Sequence, residues 1–167
     1  MQVNLVASSV AGKPKLKRRS GCPVSISLEI FGDRWSLLII RDLMVRGYHT
    51  FKQFQQSGEG IASNILADRL QKLEAFGIIT GETEETDARK VSYRLTEKGI
   101  DLAPVMLELL LWGARHERTE APRGFAAQAQ EHREEFLREV RRRWQAGDDT
   151  PLIPPFVKAG GQRTKST

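Results

Sequence analysis

The chain has 167 residues, of which 40% are hydrophobic and 28% charged, as is typical of a globular protein. No apolar run approaches the ~18 residues of a membrane-spanning helix, and apolar positions precede the first basic ones, the reverse of a secretory signal. A single cysteine, Cys22, excludes an intrachain disulfide and a Cys-rich zinc site. We therefore expect one cytoplasmic domain with appendages, holding neither a metal nor a cofactor.

The net charge of +5 is concentrated at the two ends of the chain. Residues 1–20 contain five bases and no acid, and residues 156–167 contain three bases. By contrast, residues 21–117 contain 14 acids and 11 bases. A basic pI often indicates nucleic-acid binding, but here it indicates basic arms and not a basic globule. We expect residues 1–20 to form a flexible basic arm and residues 148–167 a flexible tail, and solvated ends without a partner would have the same composition.

Two helices are predicted first, with a break at Gly32-Asp33. Pro23 suits the first turn of the earlier helix. The later helix is apolar on most faces and therefore belongs in the core, and Gly47 stands where a helix C-cap is expected. A capping box, Thr50 with Gln53, then begins a short third helix.

The segment 61–76 is a strongly periodic helix, with Leu66, Leu70 and Leu73 on one face. A turn at 57–60 separates it from the short helix before it. Two successive helices joined in this way have the outline of a helix-turn-helix.

Two short strands follow, and the polar loop 82–90 between them completes a wing over 78–95. Thr96 caps a further helix with more apolar residues than a small core needs, and Pro104 should bend it. After a linker, residues 126–145 are predicted to be helical, with a stripe that ends at Trp144. The fold class expected is mainly α with a small β-hairpin wing (α+β). The winged helix-turn-helix domain spans 21–117, and a linker with an extra helix spans 118–147.

Three segments in this order carry a resemblance to a known family. CPVSISLEIFGDRWSLLIIRDLM, FKQFQQSGEGIASNILADRLQKLEAFGII and YRLTEKGIDLAPVMLELLLWG resemble the opening, the helix-turn-helix and the dimer helix of HxlR-type transcriptional regulators. The resemblance covers residues 22–113. It implies a bacterial, cytoplasmic homodimer, built from the first and last helices of the domain, that binds a pseudo-palindromic operator in double-stranded DNA. The helix 61–76 would enter the major groove, and the wing would meet the flanking minor groove.

The candidate DNA-binding residues lie on the outward side of the helix 61–76 and in the wing. Asn and Gln side chains bond adenine, Arg bonds guanine, and a Ser with backbone amides at a helix start suits a phosphate. An ordinary polar surface helix would show the same pattern. The candidates are Ser63, Asn64, Asp68, Arg69, Gln71, Lys72, Arg89 and Lys90.

The wing is acidic, which argues against close approach to phosphates. Its acids are Glu82, Glu84, Glu85 and Asp87. Basic residues of the N-terminal arm would offset this repulsion, and in that case removing residues 1–19 weakens DNA binding and flattens its salt dependence.

Cys22 is the candidate for sensing an oxidant or an electrophile, since it matches a cysteine that some relatives use in this way and precedes a helix N-terminus. A packing role at the dimer interface is the alternative. With no second cysteine, oxidation leaves a Cys22–Cys22 link across the dimer or a cap from a small thiol.

An enzyme is not expected, because the chain lacks a phosphate-binding glycine loop, HExxH and GxSxG. Two other classes stay open: a winged helix that binds proteins and no DNA, and a MarR-type regulator that responds to an effector. An unknown small-molecule effector is compatible with the HxlR type as well. Whether the extra helix lengthens the dimer interface or closes a ligand pocket is also open.

Overall fold

The structure, a computed structural model, describes residues 19–84 and 87–153. Eight α-helices and one antiparallel hairpin lie within this part of the chain. The helices are α1 (Pro23–Phe31), α2 (Arg34–Arg41), α3 (Phe51–Gln55), α4 (Ser63–Ala75), α5 (Glu97–Ile100), α6 (Ala103–His116), α7 (Phe125–Glu131) and α8 (Arg133–Ala146). The strands are β1 (Ile79–Glu84) and β2 (Asp87–Leu95). This is the expected mainly α fold with a small wing.

The two N-terminal helices and their break are as predicted. Asp33 is the N-cap of α2, and its carboxylate accepts hydrogen bonds from the backbone N–H of Ser36 at 3.0 Å and its hydroxyl at 2.6 Å. The periodic pattern did not predict that α2 continues as a π-helical turn over Asp42–Arg46. This turn ends at Gly47, whose φ of 68° is in the left-handed region that favours glycine.

The two helices of the helix-turn-helix are confirmed, with the predicted N-terminal cap and the predicted buried face. Thr50 and Gln53 form the reciprocal capping box that begins α3. The three leucines predicted to face inward from α4 are buried, at 0 to 2% exposure: Leu66, Leu70 and Leu73. They pack with residues of α2, α3 and the base of the hairpin in one core, which leaves the opposite side of α4 toward solvent.

The wing is a longer hairpin than the sequence indicated. Residues predicted as a polar loop, 82–84 and 87–90, belong to the strands, which pair from Ile79 opposite Leu95 to Thr83 opposite Val91. The register then shifts to Glu84 opposite Asp87, so residues 88–90 of β2 form a bulge. Backbone pairing between exposed polar strands needs no apolar alternation, so the pattern gave no signal there. The chain before α3 adds to the sheet, since Thr50 forms a bridge with Ser92 and the N–H of Tyr93 donates to the carbonyl of His49 at 2.8 Å.

Two helices predicted as continuous are each divided. A turn at residues 101–102 interrupts the regular helix, so Pro104 lies in the first turn of α6, where its missing N–H costs nothing, and does not bend a longer helix. The predicted helix 126–145 is divided at His132 into α7 and α8.

The C-terminal segment packs back on the domain of its own chain. The indole N–H of Trp144 donates to the carbonyl of Leu95 at 2.8 Å, and Val140 is 1% exposed. The backbone N–H groups of Leu152 and Ile153 donate to the carbonyl of Val45 at 2.8 and 3.1 Å. A flexible tail beginning at 148 is therefore wrong for residues 148–153, because these bonds and the burial of Ile153 hold them; residues 154–167 lie outside the described chain.

Candidate nucleic-acid interface

The solvent-facing side of α4 is polar along its whole length. Ser63, Asn64, Asp68 and Gln71 are exposed, as their positions opposite the buried leucines require. The N-cap residue, Ala62, has no side-chain acceptor for the first-turn N–H groups. Those N–H groups, with the Ser63 hydroxyl, form an arrangement that suits a phosphate oxygen.

The two cations of this helix are half-buried and paired. The Nε of Arg69 donates to Asp33 Oδ1 at 2.9 Å, and Arg69 also pairs with Asp68. Lys72 Nζ lies 3.8 Å from Asp33 Oδ2. Partial burial opposes ionisation of Asp33, but hydrogen bonds from Ser36 and Arg69 outweigh it, so the pKa of this carboxyl lies below its ordinary value. Asp33 therefore holds the guanidinium of Arg69 against the start of α2.

Sequence reasoning missed the part that Asp33 plays in this surface. The local signal was present, since an Asp three residues before a Ser at the start of an apolar helix is an N-cap pattern. Its contact with Arg69, 36 positions along the chain, follows only from the packing of α2 against α4. Of the six candidates on α4, two are thus bound to an acid of their own chain and four face solvent.

The two candidate wing residues lie along β2 and not at its tip. Lys90 is exposed, and Arg89 belongs to the same strand, although its side chain is outside the described part. Residues 85–86 also lie outside it. The predicted loop position of both residues is therefore corrected to the bulged part of β2, where the register shifts between Thr83 and Glu84.

The N-terminal arm is largely outside the described residues, which begin at Arg19. The bases Lys15, Lys17 and Arg18 lie outside them, whereas Arg19 is exposed and its backbone N–H donates to Glu29 Oε1 at 3.4 Å. Cys22 is exposed at the N-cap of α1 and its side chain makes no capping hydrogen bond.

Two apolar stripes remain exposed on helices at either end of the domain. Val24 and Leu28, four residues apart on α1, are 67% and 57% exposed. Val105, Leu109 and Trp112 share one face of α6 and are 42%, 48% and 59% exposed. Large exposed apolar residues at helical spacing are typical of a surface that a protein partner covers.

Within residues 19–84 and 87–153, no group of three or more His, Cys, Asp or Glu is placed to hold a metal ion. In the same ranges no helix is long and apolar enough to cross a membrane. His49, one of three histidines without metal-ligand spacing, instead forms a hydrogen bond between Nδ1 and the carbonyl of Tyr93 at 2.9 Å, and its Nε2 lies 2.9 Å from Asp149 Oδ1.

A helix-turn-helix with a polar second helix, followed by a hairpin at its side, defines the class of winged-helix DNA-binding proteins. Comparison with known proteins narrows this class. The family model for the HxlR-like helix-turn-helix matches residues 30–121. The chain therefore belongs to the HxlR-like helix-turn-helix family and is a DNA-binding transcriptional regulator, not an enzyme.

Relatives of this chain include bacterial proteins named as HTH-type transcriptional regulators. The uncharacterized HTH-type transcriptional regulator YybR of Bacillus subtilis is 34% identical over 95 residues, which are 57% of this chain and 75% of YybR. The uncharacterized HTH-type regulator MT3179 of Mycobacterium tuberculosis is 35% identical over 106 residues, or 63% and 66% of the two chains.

Solved structures show the same fold. The redox regulator HypR in its oxidized form is similar with a TM-score of 0.54 and 32% identity, over 58% of this chain and 99% of HypR. A MarR-family regulator from Porphyromonas gingivalis gives a TM-score of 0.53 and 27% identity, over 59% and 96% of the two chains. The family match decides between the HxlR and MarR types in favour of the former.

Proposed function

We propose that the chain acts as a cytoplasmic homodimer that binds a pseudo-palindromic operator, with α4 in the major groove and the wing beside the flanking minor groove. The observation that carries this proposal is the polar, solvent-facing side of α4. The side chains of Asn64 and Gln71 make no hydrogen bond to any described residue, and Ser63 lies at an uncapped helix start. Asn and Gln present the paired donor and acceptor that adenine offers in the major groove.

Arg69 and Lys72 take a second role in this proposal. Their pairing with Asp33 fixes them beside the base-facing residues at partial burial. In the complex, Arg69 and Lys72 leave Asp33 and pair with phosphates of the DNA backbone. Because the ion pair with Asp33 is lost, each contact contributes less free energy than one made by an unpaired cation. The wing contributes through Arg89 and Lys90, with its acids held off the phosphates.

Dimerisation is the part of the proposal that the apolar stripes on α1 and α6 support. Fully burying a Leu side chain contributes roughly 1.5–3 kcal/mol relative to exposure, so covering Leu109, which is 48% exposed, contributes roughly half of that. A two-fold dimer would place the two α4 helices about one DNA turn, ~34–36 Å, apart. Replacing Leu109 by Glu on this face is expected to give monomers in light scattering, while Ala146→Glu on exposed α8 leaves dimers.

The experiment that tests operator binding is selection from random-sequence duplexes at two salt concentrations, followed by sequencing of the bound DNA. The expected result is an inverted repeat with half-site centres about one helical turn apart. Salt-sensitive binding without a motif would contradict sequence-specific recognition. No binding at low salt would favour the alternative of a winged helix that contacts proteins.

A response to oxidation at Cys22 is a second proposal, which the exposed position of this cysteine at the start of α1 favours. HypR, similar in fold, is a redox regulator. Two Cys22 thiols across the dimer would lose two hydrogen atoms to hydrogen peroxide, giving one disulfide and two waters. Operator affinity of the wild type and of Cys22→Ser, with and without peroxide, tests it; an unchanged wild-type affinity excludes the response.

A further inference from the structure

A cavity of about 310 Å³ lies between α2 with its π-helical turn, α6 and the C-terminal helices. Its walls are mainly apolar, and include Leu38, Met44, Met106, Leu110, Phe125 and Phe136. Phe125, Phe136 and Ile153 close one side of it, and all three follow residue 121, where the family match ends. The cavity is therefore completed by the C-terminal segment of this chain and not by the winged-helix domain alone.

The size and lining of the cavity correspond to a small-molecule site. Ligand sites generally occupy about 300–1,000 Å³ and combine apolar walls with a few polar groups. A volume of about 310 Å³ equals roughly ten water molecules of the liquid. That is the room needed by one aromatic ring with a short alkyl substituent.

The charged group in the wall that lacks a full set of partners is Arg46. Its side chain is only 9% exposed, and among the described residues it donates one hydrogen bond, from Nη1 to Asp42 Oδ1 at 3.1 Å. A guanidinium has five N–H donors, and those of Arg46 that make no bond within the described residues remain accessible rather than buried. An acceptor supplied by a bound molecule can therefore reach them.

Asp42 does not neutralise Arg46 by itself, because it is shared with Arg41. The Nε and Nη2 of Arg41 donate to the same Oδ1 atom at 2.9 and 2.8 Å. Burial raises the pKa of Asp42 although both arginines oppose this shift. Two guanidinium groups thus share one buried carboxylate, and since Arg41 has Glu59 as a second partner, Arg46 is the one left with only a shared acid.

We propose that this cavity binds a small apolar monocarboxylate, with Arg46 receiving the carboxylate and the surrounding side chains receiving the hydrocarbon part. Arg pairs with carboxylates through two parallel N–H···O bonds, which suits a buried site better than a single contact. A neutral molecule of the same shape would contact the apolar walls but would form no ion pair with Arg46.

The cavity is connected to the helix-turn-helix by a chain of ion pairs. Arg41 lines the cavity and its Nη1 donates to Glu59 at 2.8 Å, in the turn that precedes α4. A ligand that draws Arg46 from Asp42 strengthens the hold of Asp42 on Arg41 and thereby acts on this turn. This coupling rests on the proposed DNA binding, and by linkage ligand and operator then change each other's affinity by the same factor.

The test uses the full-length chain at neutral pH and two probes of equal shape, 4-isopropylbenzoate and 4-isopropylbenzamide, in titration calorimetry. We expect the carboxylate to bind at least tenfold more tightly than the amide. Equal affinities, or no saturable binding of the carboxylate, would overturn the proposal. This comparison is made on the wild-type protein and does not depend on any variant folding.

Two variants locate the site. Arg46→Gln is expected to lower carboxylate affinity at least tenfold, to the level of the amide, while Arg118→Gln on the exposed surface changes nothing. Gly113 lines the cavity and a Cβ there meets no atom within 4 Å, so Gly113→Leu fits the helix and occupies the cavity. It should abolish binding of both probes, and unchanged binding would overturn the site.

Operator affinity with and without the carboxylate then tests the coupling separately. A shift that Arg46→Gln removes supports it, and an unchanged operator affinity excludes it while ligand binding stands. If the chain binds no DNA yet binds the carboxylate with the expected selectivity, the proposed function has failed and the ligand site has not.

Discussion

Helices α4 and α8 are both amphipathic and both rich in charge, yet they use their polar residues in opposite ways. On α8, the run Arg141–Arg143 is engaged within the chain: Arg141 pairs with Asp101, and Arg142 and Arg143 both pair with Glu139. On α4, the exposed side chains of Ser63, Asn64 and Gln71 make no hydrogen bond to any residue in the described part of the chain, and Asp33 holds the cations beside them.

This difference shows that the number of bases on a helix is a poor guide to where a nucleic acid binds. Three consecutive arginines form the more basic sequence, but the acids Asp101, Glu139 and Asp148 pair with them, which offsets their charge and occupies part of their donors. The side of α4 is nearly neutral and keeps hydrogen-bonding groups toward solvent, which base recognition requires.

The largest effect expected from this comparison is on operator binding. Asn64→Ala and Gln71→Ala should each weaken binding to the selected operator by about 1–3 kcal/mol, that is, by roughly 5- to 150-fold, because a base contact is lost. Fluorescence anisotropy of labelled operator measures the change. Arg142→Ala is the matched control on α8, with affinity changed less than about twofold. A larger loss with Arg142→Ala than with either α4 variant would reverse the assignment of the two helices.

The second-largest effect is expected on the free energy of unfolding, at Gly47, where the C-terminal segment packs against the domain. Gly47 and Gly77 have nearly equal φ angles, 68° and 67°. A Cβ added to Gly47 would lie 1.9 Å from the carbonyl oxygen of Asp149, whereas a Cβ added to Gly77 would meet no atom within 4 Å. Both alanine variants therefore share a backbone cost of about 1–2 kcal/mol. Gly47→Ala should cost about 1–3 kcal/mol more and expose residues 148–153 to protease. Equal unfolding free energies in urea would contradict this docking.

A moderate effect is expected from Trp144, the residue that joins α8 to the base of the wing. Trp144→Phe keeps the aromatic packing and removes the N–H that donates to Leu95, so the free energy of unfolding should fall by about 1 kcal/mol. Gln145→Ala, exposed on the same helix, should stay within about 0.5 kcal/mol of wild type. Chemical denaturation measures both, and a larger loss at Gln145 would contradict the role of Trp144.

The smallest effect concerns the acid dependence of stability. Because the pKa of Asp33 is lowered in the folded state, its ionised form stabilises the fold above the unfolded pKa of about 3.9, and this contribution is lost as pH falls through the folded value. The difference in unfolding free energy between wild type and Asp33→Asn should therefore shrink as pH falls below about 5. Glu117→Gln is the exposed control, and a difference that grows on acidification would contradict the lowered pKa.

Much of the fold was accessible from local signals. The helix 61–76 was predicted from three leucines at helical spacing, and these leucines are buried as predicted. The capping box predicted at Thr50 is also formed. The wing was placed correctly but its strands were predicted too short. The division of the chain at 101–102 before Pro104 was missed, because proline is equally compatible with a bend and with a new first turn.

The site was predicted at the level of the helix and only in part at the level of its residues. Exposure of Ser63, Asn64, Asp68 and Gln71 follows from their spacing against the buried leucines, so the sequence was sufficient for these four. Pairing of Arg69 and Lys72 with Asp33 joins positions 36 and 39 residues apart, and no pattern along the chain encodes that distance.

By itself, the sequence determined the helical periods, the capping residues and the order of elements that identifies the family, because each of these depends on interactions within a few residues. The tertiary structure decided which charged side chains form ion pairs within the chain. It also decided that α8 packs on the wing through Trp144, and that residues beyond 121 enclose a cavity beside Arg46. These features depend on packing between distant elements, where burial and the matching of buried polar groups outweigh local preference.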